Sequence, residues 1–191
     1  MAIAIENSLK NLLGVVLCGG KSVRMGTDKG LLIKEGKIWA SIVAQKFDAL
    51  SMPYVVSVNQ SQTDNYTAFF SQNNLIVDEQ IVPGPLRGLL TVHQQYPQKN
   101  LLVLACDMID MQLETVESLV TNYITQPNFN FYAYHNGDFW EPFCGIYSAK
   151  GLNSIILANE TDFSLQHFLT SGPTQKNIIL DMASFKNYNS V

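Results

Sequence analysis

The stretch "LLGVVLCGGKSVRMGTDKGLL", Leu12 to Leu32, runs from a short apolar segment into paired glycines and then sets Lys21, Arg24 and Lys29 among small residues. An apolar run of that length ending at glycine reads as a buried strand that leads into a loop whose backbone can come close to a ligand. Spacing narrows the chemistry. A Walker A loop needs G-x-x-x-x-G-K-[ST], and although "GGKS" supplies the second half, the first glycine would have to stand at Val15. A dinucleotide fingerprint needs G-x-G-x-x-G, which Gly19, Gly20 and Gly26 do not give. What remains is a long loop between strand and helix, with amides at Gly19 and Gly20 and the cations Arg24 and Lys29 available to a triphosphate. On composition alone, a solvated basic loop after a buried strand is the simpler reading.

Outward from this stretch, the apolar runs 54–59 ("YVVSVN"), 75–77 ("LIV") and 101–106 ("LLVLAC") repeat the pattern of a short buried strand. Between them, residues 38–50 carry Ile38, Ile42, Val43, Phe47 and Leu50 on one helical face, and residues 85–96 open on Pro85 as a helix does. Strand and helix alternation predicts an α/β domain with a largely parallel twisted sheet between two helical layers, and ligands bind such sheets at the carboxyl ends of the strands. Around Asn136-Gly137-Asp138, alternating residues predict two antiparallel strands joined by a turn. Helices over 149–158 and 164–169 and a strand over 177–180 complete the chain.

Composition bounds the function. A length of 191 residues suits one domain able to bury a core without staples, and a net charge of −4 argues against gripping a nucleic-acid backbone. Cys18, Cys106 and Cys144 are odd in number and far apart, so they read as small buried hydrophobes and not as a disulfide or metal framework. No secretory signal is visible at the N-terminus, and no apolar run reaches the roughly 18 residues of a membrane span. The expectation is a cytoplasmic protein with no nucleic-acid or membrane partner.

The order of residues in the first loop is more specific than its composition. "LCGGKSVRMGTDKGLL" resembles the L-A-G-G-x-S-x-R-M-G-x-D-K pattern of nucleotidyltransferases, most closely the molybdenum cofactor guanylyltransferases, with Cys18 the one departure in that core. Further similarities follow in order. Asn59 closes the second strand, "DEQIVPGPLRG" matches D-x-x-x-x-x-G-P-L-x-G with Asp78, Gly84 and Gly88, "CDM" presents Asp107, and "FKNYNS" supplies Asn187 and Asn189. The resemblance spans Leu12 to Ser190.

That resemblance implies a single Rossmann-like nucleotidyltransferase domain, 1–191, with an antiparallel extension to its sheet. Residues 12–107 would form the nucleotide and metal half, and 108–191 the acceptor half. The implied reaction moves GMP from GTP to the terminal phosphate of molybdenum-loaded molybdopterin. Arg24, Lys29 and Asp107 would be catalytic, Asp107 would bind Mg²⁺, and Leu17, Cys18, Gly19, Gly20, Lys29, Asn59, Asp78, Gly84, Gly88 and Asp107 would hold the nucleotide. Asn187 and Asn189 would face the acceptor, and other molybdenum-cofactor assembly proteins would be partners. CTP in place of GTP, a sugar or alcohol phosphate as acceptor, and a noncatalytic nucleotide-binding relative are the alternatives. Ile109 stands where similar proteins carry proline, Arg87 where they carry a small residue, and Gln166 where they carry arginine. Trp140 and Phe143 read as packing residues of an amphipathic strand.

Overall fold

The computed structural model describes residues 9–19, 28–79, 81–158, 161–186 and 188. Its centre is a seven-stranded sheet in the order β5-β4-β1-β6-β8-β7-β9. The strands are β1 (Leu12–Leu17), β4 (Tyr54–Val58), β5 (Leu75–Val77), β6 (Asn100–Ala105), β7 (Phe131–His135), β8 (Trp140–Tyr147) and β9 (Thr174–Ile178). β8 runs antiparallel to both of its neighbours, while β1 pairs in parallel with β4 and β6 and β7 pairs in parallel with β9. This is the expected α/β architecture, parallel with an antiparallel insertion.

Alternation along β1 shows why the sheet needs cover on both sides. Leu12, Val16 and Cys18 enter one core cluster, Leu13, Val15 and Leu17 the other, and all six are buried. On the first face lie α1 (Trp39–Ala49), through Val43, Ala44 and Phe47, and α4 (Leu113–Thr125), through Val116, Leu119 and Val120. A short helix, α2 (Thr63–Tyr66), adds Tyr66 to that face. On the second lie α3 (Leu86–Gln95), α5 (Ala149–Leu157) and α6 (Leu165–Ser171). Each fully buried Leu, Val or Phe stabilises the fold by roughly 1.5–3 kcal/mol.

Three features depart from the sequence expectation. α4 is a helix that the sequence reading does not name, although Val116, Leu119, Val120 and Tyr123 form its buried stripe. A two-residue hairpin, β2 (Ile33–Lys34) with β3 (Lys37–Ile38), turns at Glu35 and Gly36, both at positive φ. The last strand lies over 174–178 and not 177–180, because β9 is an edge strand held by backbone pairing to β7 and by Asn177, whose buried amide donates to the carbonyl of Ala133 at 3.2 Å. Its sequence, Thr-Gln-Lys-Asn-Ile, has no apolar run to announce it.

The topology places the site. From β1 the chain moves outward through β4 to β5, then returns to the other side of β1 for β6. The connections at the carboxyl ends of β1 and β6 therefore part, and the opening between them is where open α/β sheets take ligands. Gly19 and Asp107 stand just beyond those two strand ends.

Candidate active site

Backbone pairing fixes the floor. The amides of Cys18 and Gly19 both donate to the carbonyl of Ser57, at 2.9 and 3.0 Å, and the amide of Cys106 donates to the carbonyl of Leu17 at 3.0 Å. Cys18 and Cys106 are buried there, and burial pushes the Cys18 thiol well up. Both behave as packing residues, as the sequence suggested. At the far end of the glycine loop, Lys29 begins a short 3₁₀ turn (Lys29–Leu31), and its ammonium meets the Asp107 carboxylate at 2.9 Å. Two of the three residues predicted as catalytic, Lys29 and Asp107, thus converge across 78 positions of sequence.

Three residues outside the predicted site residues, Asp28, Gln62 and Tyr66, hold this geometry. Asp28 accepts from the amide of Gly30 at 3.0 Å, from the Tyr66 hydroxyl at 3.0 Å and from the Gln62 amide nitrogen at 2.7 Å. The same Gln62 nitrogen donates to the backbone carbonyl of Cys18 at 3.1 Å, and the Gln62 side-chain oxygen Oε1 accepts from the backbone amide of Asn59 at 2.8 Å. One buried glutamine therefore joins both feet of the glycine loop. Asp28 sits inside the quoted motif beside Lys29, so its place was visible; Gln62 lies in a polar loop that carries no motif.

Asn59 uses its amide oxygen to accept from the backbone of Ser61 and Gln62 and from the Ser61 hydroxyl, shaping the turn after β4. Asp78 accepts from the Ser57 hydroxyl at 2.6 Å and packs on Gly19, where a Cβ would stand 2.1 Å from its second oxygen. Gly88, at the start of α3, makes room from the other side: a Cβ there would meet Ser57 Oγ at 2.4 Å. Gly84 adopts φ +70, which the turn before α3 requires. Leu17, Cys18, Gly19, Asn59, Asp78 and Gly88 are thereby brought together at the ends of β1, β4 and β5. Gly20 and Arg24 lie outside the described residues, as do Asn187 and Asn189.

Burial raises the Asp78 pKa, with the Ser57 hydroxyl and the charge of Arg87 working against that rise. Because the folded value lies above the unfolded one, the charged carboxylate weakens the fold as pH climbs from about 4, the ordinary aspartate value, through the raised folded value. Asp78→Asn is expected to melt above the wild type at pH 7 and to lose that advantage on acidification towards about pH 4. Melting curves across that range check the sign, and a variant that melts below the wild type at pH 7 would contradict it.

Arg87 donates to the carbonyl of Val82 at 2.9 Å. Gln166 bonds both backbone groups of Trp140, accepting from its amide at 3.1 Å and donating to its carbonyl, and so docks α6 on β8. Trp140 donates to Thr170 Oγ1 at 3.2 Å, and Phe143 packs against both core clusters, in keeping with packing roles. In the second half, Tyr134, Phe185, Thr115, Ser118, Ile178 and Asp181 line a cavity of about 300 Å³ beside the N-terminus of α4.

Among the described residues no cluster of three or more metal-ligating side chains forms. Asp107 offers one carboxylate, already holding a cation in the form of the Lys29 ammonium. That donor set fits Mg²⁺ taken with a phosphate-rich substrate, since Mg²⁺ accepts one or two carboxylates and fills its octahedron with phosphate oxygens and water. No helix among the described residues is long and apolar enough to cross a membrane.

Comparison with known proteins places this geometry. The chain is 34% identical over 145 residues to a molybdenum cofactor biosynthesis bifunctional protein of Synechocystis, covering 74% of this chain but 40% of that protein's length. It is 26% identical to a probable molybdenum cofactor guanylyltransferase of Flavobacterium johnsoniae, covering 95% of this chain and 90% of that one. In fold it resembles the crystal structure of molybdopterin-guanine dinucleotide biosynthesis protein A from Archaeoglobus fulgidus, with a TM-score of 0.77 at 19% identity over 94% of this chain and 92% of that one. Residues 14–176 match the MobA-like NTP transferase domain, and the chain belongs to that family.

Proposed function

We propose that the protein transfers GMP from GTP to the terminal phosphate of molybdenum-loaded molybdopterin, forming the guanine dinucleotide cofactor and pyrophosphate in the cytoplasm. The observation that carries this reading is the Lys29–Asp107 pair at the parting of β1 and β6, beside the bare backbone of Gly19. The family membership and the guanylyltransferase names of the relatives support it.

The acceptor phosphate oxygen attacks the α-phosphorus of GTP, the bond from that phosphorus to the α,β-bridging oxygen breaks, and its electron pair leaves with pyrophosphate. No protein nucleophile takes part, so the residues act by positioning and by charge. Lys29 neutralises phosphate oxygens as negative charge moves towards the leaving group, and Arg24 adds a second cation from the same loop. Asp107 would hold Mg²⁺, which when bound neutralises and polarises the phosphate oxygens. Gly19 lets the triphosphate lie against the backbone, while Asp78 and Asn59 line the nucleotide side. Residues 12–107 serve the nucleotide and metal, and 108–191, with Asn187 and Asn189, serve the acceptor.

The test is a pyrophosphate-release assay with Mg²⁺ and molybdenum-loaded molybdopterin, run with GTP and CTP side by side. Release with GTP at a rate at least about tenfold above CTP is expected. Faster release with CTP reassigns the base, and GTP binding without release by folded protein defeats the catalytic reading.

A further inference from the structure

Cys18 is the one departure from the family pattern in the core of the glycine loop, and the fold gives it a partner. β1 and β6 are parallel neighbours with Leu17 opposite Ala105, so the next pair in register is Cys18 and Cys106. The ladder continues that far, because the amide of Cys106 donates to the carbonyl of Leu17 at 3.0 Å. Both side chains enter the same core cluster, on one face of the sheet, and they are 6% and 7% exposed. Burial, and after it the Cys106 thiol, push the Cys18 thiol up, as expected of two sulfurs set side by side. Both are free thiols. The third cysteine stands apart: Cys144 lies opposite Leu104, two residues before Cys106, and its sulfur meets that of Met111 at 4.0 Å.

Neighbouring strands lie about 4.7–4.9 Å apart, inside the range of about 4.4–6.8 Å that separates the α-carbons of a disulfide. The Cβ atoms of a disulfide stand closer, at about 3.5–4.5 Å, so a bridge between side chains rising in parallel draws the two strand ends together by up to about 1 Å. That movement falls on the residues next to Gly19 and Asp107. A misplacement of about 1 Å costs on the order of a hundredfold in rate where groups act by positioning. A bond closed against the spacing of the sheet is also readily reduced, which is the behaviour of a redox-sensing disulfide and not of a structural one.

We propose that Cys18 and Cys106 form a redox modification site: hydrogen peroxide joins them as a disulfide that ties the end of β1 to the end of β6 and closes the opening to GTP. One thiol, as its thiolate, attacks a peroxide oxygen, the O–O bond breaks, and hydroxide leaves to take up the proton that the thiol released. The second thiol attacks the sulfenic sulfur so formed, the S–O bond breaks, and a second water departs. The two sulfurs together give up two electrons, which the peroxide takes. A small dithiol reverses the bond by exchange and leaves as its own disulfide. The effect on GTP rests on the function proposed above, whereas the disulfide itself does not.

The experiment treats the reduced full chain with hydrogen peroxide, alkylates it under denaturing conditions and maps its peptides by mass spectrometry. A peptide pair joined through Cys18 and Cys106 is expected, lighter by two hydrogens than its free parts, with Cys144 alkylated, and dithiothreitol should separate it. The thermal shift given by GTP with Mg²⁺, measured on the same samples, should lose most of its size on oxidation and recover on reduction. Cys18→Ala and Cys106→Ala should each give no joined peptide. Sulfenic or sulfinic acid without the joined pair overturns the proposal, and so does a link through Cys144. A joined pair with the GTP response intact overturns the closing of the site. Reduced wild type with no response to GTP defeats the nucleotide reading, and the peptide map still decides the disulfide.

Discussion

Asp107→Ala is expected to reduce pyrophosphate release by about a thousandfold or more while leaving the protein folded. The loss of rate follows from charge. In the proposed reaction the triphosphate brings several negative oxygens into the opening between β1 and β6, and removal of a single group that stabilises transferring phosphate costs about 10³–10⁵ in rate. Asp107 is the carboxylate paired there with Lys29, and in the proposed reaction its loss removes both the ligand for the metal and the partner of the ammonium. The retained fold follows from exposure. The side chains of Lys29 and Asp107 are 18% and 21% exposed, so neither is left as a charge in a dry interior, and the pair is worth about 1 kcal/mol or less to the fold. The melting temperature should therefore fall by only a few degrees. The thermal shift given by GTP should lose its dependence on Mg²⁺, a readout independent of turnover. Retained activity would remove Asp107 from the metal site.

What the sequence made legible were the groups at strand ends. Leu12–Cys18 and Leu101–Cys106 are short, dominantly apolar runs, so the next residues had to emerge at the edge of the sheet, and Gly19 and Asp107 could be placed from the sequence. Lys29 could be placed because its motif is read by order along one loop. The supporting groups had no comparable signal. Gln62 and Ser57 are polar residues in a loop and at a strand end, and their partners lie 21 to 44 positions away. Periodicity reports which face of an element is buried, not which distant carbonyl a glutamine will meet. β9 escaped for a related reason: an edge strand pairs through its backbone, and Asn177 is buried by a hydrogen bond where an apolar residue would have advertised the strand.

Gln62→Glu carries the second large effect, because the change is nearly isosteric and reverses the chemistry at both feet of the glycine loop. Gln62 is 7% exposed, and its nitrogen donates at once to Asp28, at 2.7 Å, and to the carbonyl of Cys18, at 3.1 Å. An ionised carboxylate in its place donates to neither and stands against the negative charge of Asp28. At pH 7.5 the variant should be less stable by about 3 kcal/mol, the range for a buried charge left without a partner. The introduced carboxyl has its folded pKa raised by burial and by Asp28, so its contribution to stability is present at low pH and lost as pH rises. The gap to the wild type should accordingly narrow between pH 7.5 and about 5, since the protonated carboxyl can again donate to Asp28. Gln62→Leu separates charge from hydrogen bonding: it loses the same donors with no titrating group, so its stability gap should stay nearly constant over that range. Both variants free Cys18 and Asp28 from one another, and both should weaken GTP binding by about tenfold or more, the price of losing a loop held at both ends. If the glutamate variant shows no narrowing on acidification, the bridge between Asp28 and Cys18 is not what holds the loop.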